Sequence, residues 1–446
     1  MQYGLIGEKL GHSFSRLIHG RLSSDSYDLC ELSPDQLPDF LQRRDFRGIN
    51  VTIPYKQAVM PYLDELGESA MGAGAVNTIV NRDGKLYGYN TDYDGFIALA
   101  RHAGADFSGS RVVILGAGGA AKAVRAAALA MGAASVVNAV RRPSAPEHLL
   151  ISDPASFENC DIIVNATPVG MFPRWQDAPI KLPERPLRAV LDCIYNPLRT
   201  SLVLDAAGRA VDAQGTVSAR GRVNGRGPAL ATGGMSEAKF SSVPARPAAE
   251  GGLYMLVAQA VRARELFTGE PLPDEIIERE YQRLLHSKRN IVLCGMPSCG
   301  KSTLGRALAD ASGRRFVDTD EIVALQAGMD IPRIFELEGE AGFRTRETIA
   351  IESIASEQGL VIATGGGAPL KEQNVKLLKH NGLICLIERD LHLLSPGSGR
   401  PLSRSRAELE SLWTARRAAY LKAAEVCIDN NGPIENTLAQ LLAYVD

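Results

Sequence analysis

Twice along this chain of 446 residues an apolar, β-branched run ends in glycines and passes into a helical stretch. The first instance is RVVILGAGGAAKAVRAAALAMG at 111–132, the second NIVLCGMPSCGKSTLGRALADASG at 290–313. Each spacing predicts a strand, a glycine turn and a helix closed by a further glycine. A second short apolar run follows each, ASVVNAV and RRFVDTD, so each opens a parallel α/β unit. Two such openings imply two separate glycine-lined anion cradles. At roughly 100–200 residues per domain the length accommodates about three domains.

Composition removes several function classes. The formal net charge is −2, which supplies no basic field for nucleic acid. No apolar run reaches the length of a membrane span. The first residues, MQYGLIGEKLGHSFS, lack the basic-then-apolar pattern of a leader. Seven cysteines without CxxC spacing read as reduced core thiols, not as a disulfide framework or zinc site, and fit a cytoplasmic protein.

Helix N-termini attract phosphate because their first N–H groups lack partners and the helix dipole is positive there. In LGAGGAAKAV, residues Gly116, Ala117, Gly118, Gly119 and Ala120 fall at such a turn. Ala121 stands at the third-glycine position of a dinucleotide fingerprint. Tight helix–strand packing is the plainer reading of the same glycines. The next strand, VVNAVRRP, runs from Val136 through Asn138 to Arg141 and Arg142 and carries no acid at its end. NAD sites place Asp or Glu there, whereas two guanidiniums suit a 2′-phosphate, which favours NADP. A pair of solvated arginines is the alternative.

GMPSCGKS, Gly295–Ser302, is a full GxxxxGK[ST] P-loop. The loop Gly295, Met296, Pro297, Ser298, Cys299 and Gly300 would cradle the phosphates of ATP. Lys301 would reach the β- and γ-phosphates, Ser302 would ligand Mg²⁺, and Thr303 would join the nucleotide-binding residues.

Between the two openings, DEIIEREYQRLLHSKR has helical period and neither glycine nor proline. It predicts a helical linker over 271–287 with a boundary near Ser287. Residues 207–250 are rich in Gly, Ala, Arg, Ser and Pro without periodicity. They predict a flexible surface insertion, or alternatively a basic docking segment.

Polar clusters occupy unusual settings before the first glycine turn: Ser13 and Ser15 in GHSFS, Asn50, Thr52 and Lys56 in NVTIPYK, Asn77 in AVNTI, and Asn90, Thr91 and Asp92 in GYNTDYDGF. Singly, Lys56 reads as a surface lysine and Asp92 as a helix N-cap. Together with the GAGGA turn, NATPVGM at 165–171, DCIYNP at 192–197 and MLVAQA at 255–260, they resemble the shikimate dehydrogenase family over about 1–270. The resemblance implies a substrate domain at 1–97, completed by 253–270, and a Rossmann-like NADP domain at 98–252. It implies that Lys56 and Asp92 handle the proton on the substrate oxygen while hydride passes between NADPH and 3-dehydroshikimate. By the same resemblance Ser13, Ser15, Thr52, Asn77, Asn90, Asp92, Tyr195 and Gln259 hold the substrate. Gly116–Ala120, Asn138, Arg141, Arg142, Thr167, Ile194 and Gly252 would hold the cofactor. Two positions depart from the family: Arg16 stands where it has proline, and the span from Tyr195 to Gln259 is about thirty residues longer.

After the P-loop come FVDTDEI at 316–322, FELEGEAGFRTRE at 335–347, ATGGGAP at 363–369, GRPL at 399–402 and ARRAAY at 415–420. These resemble the shikimate kinase family over about 288–446. The resemblance implies a P-loop kinase domain of α/β class with a parallel sheet and a mobile lid. Asp320 would bond the substrate hydroxyls and accept a proton. Arg344 and one of the adjacent pair Arg416 and Arg417, with Arg416 preferred for its spacing from Tyr420, would grip a carboxylate beside Gly365, Gly366 and Gly367. Asp318 would face Mg²⁺, and Arg400 in the lid would close over the phosphates. A strand-end turn is the plain reading of Asp318 and Asp320.

The product of the first reaction is the acceptor of the second. The whole therefore reads as a bifunctional α/β enzyme of the shikimate pathway using NADP, ATP and Mg²⁺ on small-molecule substrates, as monomer or homodimer. Two rivals keep the folds: a quinate enzyme using NAD, or a kinase carrying a catalytically degenerate dehydrogenase-like module.

Overall fold

The computed structural model describes residues 2–10, 14–211, 217–218, 247–273, 275–395 and 405–445. Two compact units separate between Gln282 and Arg283.

The first unit begins with a six-stranded mixed sheet built from β1 (Tyr3–Gly7), β2 (Tyr27–Glu31), β3 (Gly48–Val51), β4 (Glu65–Leu66), β5 (Thr78–Arg82) and β6 (Lys85–Tyr89), in the order β2-β1-β3-β5-β6-β4. β1 runs parallel to β2 and β3, and β5 runs antiparallel to β3 and β6. Ile6, Ile49, Val51, Ile79 and Leu86 pack with Phe40 and Leu41 of helix Leu37–Arg43 as one core.

A second sheet of the same unit contains β7 (Arg111–Leu115), β8 (Ser135–Val140), β9 (His148–Leu150), β10 (Ile162–Asn165) and β11 (Ala189–Asp192). A separate antiparallel pair, β12 (Ala210–Val211) and β13 (Val217–Ser218), precedes its edge strand β14 (Ala248–Glu250). The order is β14-β11-β10-β7-β8-β9 and every pairing is parallel. Val112, Val113, Ile114 and Leu115 are all buried, as expected of a parallel strand covered on both faces. Chain order reverses between β7 and β10, and ligands of doubly wound sheets bind at such a switch point, beyond the C-terminal strand ends.

The sequence region read as an insertion is in part regular structure, since residues 248–250 form β14. A three-residue edge strand carries no alternation or β-branched signal by which to find it. Residues 212–216 and 219–246 lie outside the described residues.

Helix Leu253–Thr268 leaves β14 and returns to the first sheet. Its Phe267 stacks on Tyr3 with ring centroids 5.2 Å apart, and a Cβ on Gly48 would lie 2.3 Å from the same ring. The helix also packs against Thr91–His102, where a Cβ on Gly95 would lie 2.8 Å from Met255 O. Helix Glu275–Lys288 follows. The division between units falls inside it, after Gln282, and Tyr281 is buried against His102 and Tyr254 of the first unit, each 5.0 Å away.

The second unit is a five-stranded parallel sheet of β15 (Asn290–Cys294), β16 (Arg315–Asp318), β17 (Leu360–Ala363), β18 (Gly382–Glu388) and β19 (Val426–Asp429), in the order β16-β17-β15-β18-β19. Helix Lys301–Ser312 follows β15, and a Cβ on its Gly305 would strike the Phe316 ring at 2.4 Å. The expected α/β architecture with parallel sheets is therefore present in both units. Among the described residues no helix is long and apolar enough to cross a membrane.

His19 gives the first unit a pH signature. It is buried and stacked on Tyr27 at 4.0 Å. Burial, helped by the charge of Arg264 and opposed by the neighbouring Asn50 side chain, lowers its pKa to about 3. The folded state therefore keeps His19 neutral while the unfolded chain binds a proton below pH 6.5. This contribution to stability is present above pH 6.5 and is lost as pH falls toward 3, by about 1.4 kcal/mol per pH unit. Urea unfolding followed through Trp175, in a Trp413→Phe background, should be less sensitive to acid in His19→Gln by that slope. Equal slopes with and without the imidazole would show that His19 does not titrate this way.

Candidate active sites

β7 ends at Leu115, and Gly116 takes φ 102°, a conformation glycine reaches without a Cβ penalty. A Cβ there would lie 3.1 Å from Thr167 Cγ2 and 3.2 Å from Ala166 O, beyond the end of β10. Helix Gly119–Ala130 begins with no side-chain cap, which leaves its first N–H groups for a ligand. From this turn a cleft of about 1460 Å³ extends to the first sheet. Ordinary small-molecule pockets hold roughly 300–1,000 Å³, so a dinucleotide and a second small ligand fit together.

Of the sequence-predicted set, Gly116, Ala117, Gly118, Gly119, Ala120, Arg141, Arg142, Thr167, Ile194 and Gly252 line this cleft together with Ser15, Thr52, Lys56, Asn77, Asp92, Tyr195 and Gln259. Arg141 and Arg142 are exposed beyond β8, and neither pairs with a carboxylate among the described residues. A Cβ on Gly252 would lie 2.3 Å from Cys193 O. Only glycine therefore lets helix Leu253–Thr268 start close enough to bring Gln259 to the cleft.

Lys56 Nζ lies 2.5 Å from Asp92 Oδ2, with side chains 18% and 11% exposed. The Lys56 carbonyl accepts from Val76 N at 2.7 Å, which ties its loop to the AVNT segment. The N-cap of helix Thr91–His102 is Asn90, whose Oδ1 accepts from Asp92 N at 3.1 Å. Asp92 is thus free of capping duty and turns to Lys56. Asn90 itself is fully buried and its Nδ2 donates to Ala75 O at 2.8 Å. Asn138 also stays behind the cleft, donating to Gly116 O at 2.7 Å. It supports the glycine turn from below. Ser13 lies outside the described residues.

The sequence reading missed Asp192 in this unit. It is fully buried and accepts from Asn165 Nδ2, Ile194 N and Thr200 Oγ1. Burial raises its pKa to about 7 against these three donors. Its contact to Ile194 N fixes the cleft wall beside Gly252.

In the second unit the P-loop turns on Gly295 (φ 142°), Ser298 (φ 64°) and Gly300 (φ 95°). Lys301 Nζ donates to Gly295 O at 3.1 Å and Met296 O at 2.9 Å. Ser302 Oγ donates to Asp318 Oδ2 at 2.7 Å. Asp318 Oδ1 accepts from Asp320 N at 3.0 Å, so Asp318 caps helix Thr319–Ala327 as well as meeting the P-loop. Asn430, absent from the sequence reading, donates to Cys299 O at 2.8 Å and braces the loop from behind.

After β17 the chain makes its triple-glycine turn. A Cβ on Gly365 would lie 2.6 Å from both Asp320 Oδ1 and Glu347 Oε1, and one on Gly367 would overlap the Arg344 guanidinium. Gly366 O accepts from Arg416 Nη1 at 3.2 Å and from Tyr420 Oη at 2.5 Å. Arg416 is buried, whereas Arg417 is exposed with its guanidinium over Trp413. Arg344 pairs with Glu347 at 3.0 Å and with Glu340 at 3.0 Å. Glu347 is fully buried; burial raises its pKa, Arg344 opposes that, and Asp320 adds to it. Its place three residues after Arg344 on one helix was the available signal. Arg400 lies outside the described residues.

The first unit has the make-up of a dinucleotide-dependent oxidoreductase and the second that of a P-loop phosphotransferase. Residues 5–79 match the family model described as shikimate dehydrogenase substrate binding domain, and residues 297–445 that described as shikimate kinase. A shikimate dehydrogenase (NADP(+)) from Halothermothrix orenii is 39% identical over 241 residues, 47% of this chain and 83% of the relative. The crystal structure of shikimate dehydrogenase 1 from Peptoclostridium difficile is 31% identical with a TM-score of 0.50, covering 64% of this chain and 98% of that one. A chorismate mutase/shikimate 5-dehydrogenase fusion protein from Clostridium acetobutylicum is 28% identical with a TM-score of 0.51, covering 63% of this chain and 96% of that one. The chain belongs to the shikimate dehydrogenase family and carries a shikimate kinase domain after it.

Proposed function

We propose that the N-terminal unit reduces 3-dehydroshikimate to shikimate with NADPH and that the C-terminal unit phosphorylates shikimate on its 3-hydroxyl with ATP. The observation that carries this reading is the 2.5 Å Lys56–Asp92 pair in the same cleft as the Gly116–Gly119 turn. NADPH bound at that turn supplies the reducing equivalent. Arg141 and Arg142 suit its 2′-phosphate, and the uncapped helix start suits its pyrophosphate. Lys56 donates the proton to the ketone oxygen and stabilises charge developing there, while Asp92 keeps the ammonium in place. Ser15, Thr52, Asn77, Tyr195 and Gln259 orient the ring acid.

In the kinase unit Arg344 and Arg416 would hold the substrate carboxylate, with Asp320 beside the attacking hydroxyl. Ser302 and Asp318 present two oxygens 2.7 Å apart, a fit for Mg²⁺, which binds few protein ligands besides phosphates and water. Mg²⁺ would there neutralise phosphate charge. Arg400 is proposed to close over the phosphates.

With 3-dehydroshikimate, NADPH and ATP, the full chain should form shikimate 3-phosphate with one NADPH oxidised per ADP released. Arg141→Ala/Arg142→Ala should raise KM for NADP+ by about tenfold or more and leave KM for shikimate within about twofold. A wild-type preference for quinate with NAD, or no NADPH oxidation at all, would replace this reading with one of its rivals.

A further inference from the structure

Behind the substrate side of the first cleft lies a buried hydrogen-bond network whose proton directions can be worked out atom by atom. Its members are Tyr27, Asn50, Asn77, Thr78 and Thr91, all buried, and it ends on Gln259. Asn50, Asn77 and Gln259 line the cleft; Tyr27, Thr78 and Thr91 do not.

Obligatory donors and acceptors fix the amides. Thr91 N can only donate, and it lies 2.7 Å from Asn77 Oδ1, so that atom is oxygen. The Asn77 carbonyl can only accept, and it lies 3.3 Å from Asn50 Nδ2, so that atom is nitrogen. Asn50 Nδ2 also faces Thr78 Oγ1 at 3.0 Å, which uses its second hydrogen. Asn50 Oδ1 then accepts from Tyr27 Oη at 2.8 Å. Thr78 Oγ1 accepts from Asn50 and gives its own proton to Asn77 Oδ1 at 3.0 Å, the nearer of its two acceptors, with Thr91 Oγ1 at 3.3 Å. The Thr91 hydroxyl lies 3.2 Å from Asn77 Oδ1 and 3.3 Å from Gln259 Oε1 and has one proton for the two oxygens. Gln259 Nε2 donates one hydrogen to Leu256 O at 3.1 Å.

The result is a one-way assignment at Asn77. The Asn77 oxygen is committed to the protein, so what Asn77 offers a ligand is the N–H of Nδ2, beside the second Gln259 Nε2 hydrogen. Lys56 Nζ adds a third donor. These donors match the acceptor oxygens of a ring ketone or hydroxyl.

We propose that Thr78 is the positioning residue that sets this polarity, holding the Asn77 amide so that its N–H₂ faces the substrate. Its Oγ1 is the one atom among the described residues bonded to both Asn50 and Asn77 side chains. Without it Asn50 Nδ2 loses an acceptor and Asn77 Oδ1 a donor, and the Asn77 amide is held by Thr91 alone. The inference rests on the dehydrogenase reading proposed above.

The test uses the full chain, measuring shikimate oxidation with NADP+. Thr78→Val keeps the shape and removes the hydroxyl; Thr78→Ser keeps the hydroxyl. Thr78→Val should raise KM for shikimate by about tenfold, leave KM for NADP+ and the ATP-dependent activity within about twofold, and Thr78→Ser should recover most of the loss. An unchanged shikimate KM in folded Thr78→Val overturns the proposal. So does a rise that Thr78→Ser fails to recover, or one shared equally by NADP+. If Thr78→Val shows no unfolding transition for the first unit, Tyr27→Phe decides. It removes the donor to Asn50 and should raise only the shikimate KM, by about threefold; no rise overturns the proposal. A wild-type chain that does not oxidise shikimate would instead sink the underlying functional reading, which separates the two failures.

Discussion

Lys56→Met should lower kcat for NADP+-dependent shikimate oxidation by about 10²–10⁴-fold, the usual worth of a positioned proton donor, while ATP-dependent phosphorylation stays within about twofold. Methionine keeps an unbranched apolar stem of similar length, so the walls of the cleft remain filled. What disappears is the ammonium 2.5 Å from Asp92 Oδ2. The Lys56 carbonyl is backbone, so in the variant it still accepts from Val76 N and the loop keeps its anchor. Asp92 is left 11% exposed without its partner, and an unpaired, largely buried carboxylate destabilises the fold. The assay therefore belongs at about 25 °C, after circular dichroism has shown the variant folded. The expected split is a collapse of kcat with a smaller change in KM for NADP+, because Lys56 pairs with Asp92 while the proposed dinucleotide contacts, Arg141 and Arg142, stand beyond β8. A folded Lys56→Met with kcat within about tenfold of the wild type would remove Lys56 from the chemistry.

The two glycine turns and the strands before them were legible because parallel strands and phosphate-facing turns restrict residue choice locally. Gly116 and Gly295 take φ values of 102° and 142°, and the sequence announces both. Side-chain direction was not legible. Asn90 and Asp92 stand two residues apart in one polar motif, yet one caps the helix and the other reaches Lys56. Only the backbone conformation at Asn90, extended at φ −127° and ψ 98°, decides which does which. Asn138 likewise looks like a ligand group and instead holds the Gly116 carbonyl. Glu347 was passed over because a glutamate among the charges of FELEGEAGFRTRE reads as a solvated face, and its complete burial follows only from the packing of Gly365 against it. For Arg416 and Arg417 the sequence left two candidates, and burial separates them. The inward face of helix Glu275–Lys288 was hidden for a related reason. Its charges dominate the pattern, while Ile276 and Tyr281 face inward.

Lys301→Met should reduce phosphorylation by about 10²–10³-fold, the loss expected when one preorganised charge donor is removed from a transferring phosphoryl group. The loop should keep its shape without the ammonium. Gly295 and Gly300 hold it at positive φ, Asn430 holds the Cys299 carbonyl at 2.8 Å, and Ser302 still meets Asp318 at 2.7 Å. The carbonyls of Gly295 and Met296 lose a donor, but water or nucleotide can reach a phosphate-binding loop and replace it. Dehydrogenation should be untouched, since neither the Lys56–Asp92 pair nor the glycine turn at Gly116 involves residues after Gln282. The two substitutions together make a stronger test than either alone. Lys56→Met retains an intact kinase unit and Lys301→Met an intact dehydrogenase unit, and shikimate released by one protein can diffuse to the other. An equimolar mixture should therefore convert 3-dehydroshikimate to shikimate 3-phosphate in the presence of NADPH and ATP, although neither variant alone does so at more than about 1% of the wild-type rate. If the mixture stays as inactive as its components while both are folded, the two sites are not independent, and the assignment of one reaction to each unit is wrong.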